Sequence, residues 1–316
     1  MGAVMMRGGK LIVLSILVLA AIAVVIRLAI PRGLDQSRFD ALYETPQAVA
    51  PGPQRVFHLG HSLVGRDMPA MLAQLTGQSH RYESQLGWGT PLKAHWDPDT
   101  PINGFAEEND HPRYRDAKEA LASAEYDALI LTEMVEIKDA IKHFDSPAYL
   151  SKWADAGWAA KPELRVYLYE TWHPLDDPDG WLARIDADLA RHWEGQILRP
   201  ALADREPIRP IYVIPAGQVM AQFVRAVEDQ GGVDGITNRQ DLFSDEIHLS
   251  DLGAYLVALT HYAVLYQSSP IGLPHQLVRA DGTMADAPTE EAARLMQATV
   301  WDVVRNYPRA GLPDNS

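Results

Sequence analysis

The chain has 316 residues, 47% hydrophobic and 22% charged, a composition that fits a folded protein of one large domain or two small ones. Its formal net charge of −14 argues against a nucleic-acid partner, because neutralising phosphates takes clustered Lys and Arg. The absence of cysteine excludes disulfides, thiolate metal sites, cysteine nucleophiles and a lipidated N-terminal cysteine.

The first element is apolar. "LIVLSILVLAAIAVVI" runs over residues 11–26 with Ser15 as its one polar residue, "RLAI" extends it to Ile30, and Pro31 ends it. Twenty helical residues rise about 30 Å, the thickness of a bilayer core. Arg7 and Lys10 precede the run as in a signal sequence, and the run continues past the cleavage-like "AIA" at 21–23. The expectation is an uncleaved transmembrane signal anchor over 1–30 that ties the rest of the chain to a membrane, with the domain behind it periplasmic or otherwise extracytoplasmic. Residues 31–53 end in "PGP" and read as a linker, and 54–316 read as the folded domain.

From Arg55 onward, apolar runs alternate with helical patterns. Strands are predicted at Arg55–Leu59, Arg81–Leu86, Tyr126–Glu133, Leu164–Glu170 and Pro210–Pro215. Helices are predicted at Asp67–Gly77, Arg113–Ala124, Met134–His143, Pro147–Ala160, Gly180–Ile197, Gln218–Asp229, Asp251–Tyr266 and Thr289–Tyr307, with a polar loop over Gly87–His111. Short, continuously apolar strands alternating with helices predict an α/β fold. The expected architecture is a three-layer, flavodoxin-like sandwich around a mainly parallel five-stranded sheet. No glycine-rich phosphate loop follows the first strand, since "LGHSLVG" has the wrong spacing for a dinucleotide or Walker-type motif.

Ligand sites in open parallel sheets lie at the carboxyl ends of the strands. Ser62 follows the first strand, where it either caps the next helix or acts as a nucleophile. "DEIHLSDLGAY" follows the fifth and sets Asp245 three residues before His248. A serine after the first strand, paired with a late Asp-x-x-His that opens a helix, resembles the SGNH (GDSL-type) hydrolase superfamily. "LGHSLV" stands where that family has its first block, and "DEIHLSDLGAYLVA" is similar to its last, including Gly253 five residues after the histidine.

The resemblance implies a catalytic triad of Ser62, His248 and Asp245, with no cofactor and no metal. It implies an oxyanion hole made by the Ser62 N–H, a glycine after the second strand and an asparagine after the third. "QLGWGT" offers Gly87, preferred as the first after the strand, and Gly89. After the third strand the chain reads "LTEMVE", without asparagine, so the Thr132 hydroxyl is the substitute donor. Asn109 precedes that strand and does not qualify. Losing one such donor typically costs about 2.7–4 kcal/mol of transition-state stabilisation.

Trp88, Glu133, Trp172 and His173 are expected around the substrate. Trp172 and His173 either form a sugar-facing wall or simply pack over the sheet. Glu170 and His173 repeat the acid-x-x-His spacing and make a rival pair. His58 and His61, near Asp67, could suggest a metal, but strand alternation points the two rings apart. The resemblance implies a serine esterase for short acyl, above all acetyl, esters, with a small-molecule or glycan ester as substrate. An O-acyltransferase for an envelope polysaccharide and a non-catalytic binding module with the same fold are the alternatives.

Overall fold

Five short apolar segments form one parallel sheet: β1 (Arg55–His61), β2 (Arg81–Gly87), β3 (Ala128–Leu131), β4 (Arg165–Glu170) and β5 (Tyr212–Pro215). Their order is β2-β1-β3-β4-β5. β3 and β5 are buried at every position, as expected of strands covered on both faces. This is the flavodoxin-like order, whose switch point lies between β1 and β3. The computed structural model describes residues 33–49, 52, 54–77, 80–203 and 207–313. The expected anchor at 1–30 lies outside them, and among the described residues no helix is long and apolar enough to cross a membrane.

The chain divides at Gly33, and Leu34–Ser316 form one unit. Part of the expected linker belongs to it. Gln36–Ala41 form helix α1, capped by Asp35, whose Oδ1 accepts the Arg38 N–H at 3.0 Å. Phe39 and Tyr43, four residues apart, share one buried face, and the Tyr43 hydroxyl donates to the Ile211 carbonyl at 2.8 Å. The Arg309 guanidinium lies over both rings, 4.7 and 5.3 Å from their centroids. Two aromatics and a distant cation therefore fold a segment whose proline and polar content suggested a tether.

The helices form two layers. α2 (Asp67–Leu75) follows β1. The Gly87–His111 segment, expected as loop, contains α3 (Leu92–Trp96) and α4 (Phe105–Asn109), and α5 (Ala117–Ala122) leads into β3. α6 (Ile137–Phe144) and α7 (Ser146–Ala160) precede β4. α8 (Trp181–Asp188) continues through a π-helical stretch, Leu189–Leu198, into α9 (Arg199–Leu202). α10 (Ala216–Asp229), α11 (Asp251–Tyr266) and α12 (Glu290–Asn306) complete the chain. α7 packs against α3 and α5; α11 packs against α2, α10 and α12.

α11 is the central helix of its layer, with Leu256, Val257, Leu259, Ala263 and Val264 fully enclosed. Its N-terminus is fixed by Ser250, whose Oγ accepts the Gly253 N–H at 3.4 Å. A Cβ at Gly253 would stand 2.2 Å from the Leu242 carbonyl oxygen, so glycine lets the first turn of α11 touch the 239–242 turn. Gly253→Ala is expected to destabilise the fold by about 1–3 kcal/mol, as overpacking against backbone does. Urea unfolding checks it, and an unchanged midpoint would show that the contact relaxes freely.

Candidate active site

The carboxyl end of β1 carries the first group of the site. The His61 carbonyl accepts the Val64 N–H at 2.9 Å, so Ser62 sits in a tight turn directly past the strand. It does not cap the next helix, because the residue before α2 is Arg66. Gly60 serves close packing: a Cβ there would stand 2.5 Å from Cβ of Thr132. His61 fixes the turn from below. Its Nε2–H donates to the Glu133 carbonyl at 2.9 Å and its Nδ1 accepts the Leu63 N–H at 3.4 Å, a pattern that requires a neutral ring. Burial is the main cause that pushes His61 down to about 4.

His248 Nε2 lies 2.9 Å from Ser62 Oγ, and His248 Nδ1 lies 2.7 Å from Asp245 Oδ2. Asp245 Oδ1 accepts the backbone N–H of Ile247 at 2.8 Å and of His248 at 2.7 Å. Desolvation raises the Asp245 pKa, but these backbone bonds and the His248 ring outweigh it and hold the carboxyl at about 2. The loop around the pair is closed at its base, where the Ser244 N–H donates to the His248 carbonyl at 2.8 Å and the Ser250 N–H to the Leu242 carbonyl at 2.9 Å.

Ser62 and His248 face a cavity of about 1360 Å³, whose wall includes Trp88, Gly89, Val135, Glu136, Asp177 and Ile247. Gly89, with φ +52°, lines it; Gly87 does not, and a Cβ on Gly87 would meet Ile102 and Thr90 at 2.2 and 2.4 Å. Trp88 is half exposed, donates its Nε1–H to Glu108 at 2.9 Å, and rests on Gly104. Thr132 is fully buried against Gly60 and away from the cavity wall. Glu133 is buried as well, its Oε1 accepting the N–H groups of Leu92 at 3.2 Å and Met134 at 2.9 Å. It thus serves the start of α3 rather than the cavity. Asn109 ties α4 to β2 through both polar groups of Leu86.

Of the two readings for Trp172 and His173, packing within the fold holds, and neither lines the cavity. Trp172 is fully buried and donates Nε1–H to the Ile247 carbonyl at 2.8 Å, so it braces the acid–histidine loop from within. Glu170 does not pair with His173; it accepts from the backbone and side chain of Gln218 at 3.2 and 3.1 Å. His173 Nε2 is 3.2 Å from Asp188 Oδ2. Sequence reasoning missed Arg184, buried on α8, which bonds Glu136, Asp177 and Asp188 and so pins the loops after β3 and β4. Nothing in its helical spacing marks it.

Glu136, His173 and Asp177 offer ligand atoms within 4.8 Å of one another, but the Arg184 guanidinium already bonds both carboxylates. His58 and His61 are not brought together as ligands; the His58 ring lies 6.0 Å from that of His261 in the core.

No family model matches the sequence, and no curated protein matches it. Among solved structures, the chain is similar to a DUF4886 family protein from Bacteroides uniformis, with 12% identity over 84% of this chain and 98% of that one and a TM-score of 0.52. It is also similar to a GDSL-like lipase from Parabacteroides merdae, with 12% identity over 69% and 99% of the two chains and a TM-score of 0.42. An acetyl xylan esterase, AlAXEase, has 16% identity over 67% and 99%, with a TM-score of 0.40. At such identity the first of these establishes a shared fold. The strand order is that of the three-layer, flavodoxin-like sandwich expected from the sequence.

Glu133 makes stability depend on pH. Burial, the largest cause, raises it from 4.5 to about 7, against the lowering effect of Met134, Ser146 and Leu92. The folded state keeps a proton that the unfolded chain releases, so stability falls as pH rises from 4.5 to about 7. Glu133→Gln is expected to be more stable than the parent at pH 8 and no more stable at pH 4.5. Urea unfolding at the two pH values checks this, and an equal effect at both would remove the carboxyl proton from the account.

Proposed function

We propose that the chain is a serine hydrolase that cleaves carboxylic esters through an acyl-enzyme on Ser62. The observation that carries this reading is the relay from Ser62 Oγ to His248 Nε2 at 2.9 Å and from His248 Nδ1 to Asp245 at 2.7 Å. Serine is a poor nucleophile until a neighbouring base takes its proton. His248 Nε2 accepts that proton as Oγ attacks the ester carbonyl, and the imidazolium then protonates the departing alcohol. Water enters, His248 takes one of its protons, and the hydroxide attacks the acyl-enzyme to release the carboxylic acid and restore Ser62. Asp245, held ionised near 2, keeps the proton on Nδ1 and stabilises the imidazolium.

The oxyanion is assigned to the backbone N–H groups of Ser62 and Gly89. Gly89 is chosen over Gly87 because it lines the cavity, and Thr132 is left out because it does not. No side chain stands in for the family's asparagine in this assignment, so turnover is expected to be slow.

The substrate proposed is a short acyl ester, such as acetyl, on a sugar or similar polyol. The support is Trp88, whose indole is bonded at its edge and backed by Gly104, leaving a flat apolar face that suits a sugar's CH surface. The apolar run at 11–30 would hold this domain at a membrane, outside the cytoplasm. An acyl transfer to a second hydroxyl would use the same acyl-enzyme, and product analysis with an oligosaccharide acceptor separates it from hydrolysis.

The test is turnover of p-nitrophenyl acetate by the full chain. Ser62→Ala is expected to lower kcat on the order of 10⁴-fold or more, as loss of the nucleophile does in serine hydrolases. Activity equal to the parent would end the serine mechanism. Thr132→Val is expected to keep kcat/KM within about threefold, far less than the loss of an oxyanion donor causes. A hundredfold loss would put the hydroxyl back into the hole.

A further inference from the structure

Beside the catalytic cavity lies a second one, of about 460 Å³, and the two share Gly65, Arg66, His111, Pro112, Arg279 and Ala280. The chain carries 42 acidic and 28 basic residues, yet this cavity is lined by Arg66, Arg113 and Arg279 and, among the described residues, by no carboxylate.

The three arginines differ in how far they are already neutralised. Arg279 bonds Asp251 through Nε at 3.0 Å and again through Nη2. Arg66 donates to the Glu107 backbone carbonyl, and Arg113 lies 5.0 Å from the centroid of the Tyr82 ring. Among the described residues neither Arg66 nor Arg113 has a carboxylate within ion-pair distance. Asp67, at the start of α2, accepts the Ala280 N–H at 2.8 Å and is not in ion-pair contact with either. His80 adds a buried polar edge: it is 4% exposed, with Nδ1 on the Tyr266 hydroxyl at 2.9 Å and Nε2 without a partner among the described residues.

We propose that this side cavity binds an anionic group of the substrate, a carboxylate or a phosphate, while the ester lies at Ser62. The inference rests on the serine-hydrolase reading for the second half of that statement only. Two guanidinium forks without acidic partners, held by a backbone bond and an aromatic face, match planar or tetrahedral oxyanions. The shared wall makes one molecule long enough to reach both cavities the natural ligand. Substrates carrying a negative charge are thereby selected by a protein whose overall charge repels them.

Titration of the full chain bearing Ser62→Ala, with inorganic phosphate and separately with glucuronate, tests the site without any turnover. Saturable binding of at least one is expected, and the stronger of the two identifies the anion. Arg113→Ala or Arg66→Ala added to that chain is expected to weaken binding about tenfold or more, the effect of losing a charge-assisted contact. Arg113→Lys is expected to recover part of it, and an unchanged circular-dichroism melt shows that each variant is folded. Absence of saturable binding, or equal affinity in the alanine variants, overturns the proposal. Binding without ester turnover by the parent chain upholds the anion site and overturns the serine reading instead.

Discussion

The hydrogen bond between Ser62 and His248 joins residues 186 apart in sequence, and the rest of the domain is arranged so that it can form. Ser62 is placed by the parallel pairing of β1 with β2 and β3, which sets the strand end at the switch point of the sheet. His248 is placed by the segment between β5 and α11. The 239–242 turn, the Ser250 cap and the close contact at Gly253 seat its loop on α11, a helix buried in its layer. Trp172 reaches from the end of β4 to hold Ile247, so two strand ends and the loop before α11 set one distance.

Carboxylates stand at the ends of β3 and β4, and neither is free. Glu133 takes the N–H of Leu92 at the start of α3, and Glu170 takes that of Gln218 in the first turn of α10. Both use the attraction of a helix N-terminus for an acceptor. Burial raises their pKa values to about 7 and about 8, so these buried acids oppose folding where they would be ionised in the unfolded chain. The third-strand end, where the resemblance read from the sequence implies an asparagine, is thus given over to framework. Asp245, by contrast with these two, is held low by backbone N–H groups and by the His248 ring, whose other nitrogen meets Ser62.

Much of the fold was legible because its signals are local. All five strands were located from short apolar runs, and their parallel order followed from the helices between them. Ser62 was legible as a candidate because it follows β1 at the sheet edge where ligands bind, and Asp245 and His248 because their spacing precedes the helix α11. What depends on side-chain direction was not. An aromatic after a strand can face a ligand or the core, and Trp172 went to the core, while Trp88 went to the cavity. Gly87 and Gly89 differ by two residues, and only the path of the loop decides which reaches the cavity. Phe39 and Tyr43 were hidden in a segment whose prolines suggested a tether, because the partners that bury them, Ile211 and Arg309, lie far along the chain.

The central claim is that Ser62 is made nucleophilic by His248. The direct measurement is mass spectrometry of the full chain after exposure to a fluorophosphonate. A single adduct on the peptide containing Ser62, abolished by Ser62→Ala and formed far more slowly in His248→Ala, is the predicted result. An unlabelled parent chain, or labelling as fast without the imidazole as with it, would contradict the account.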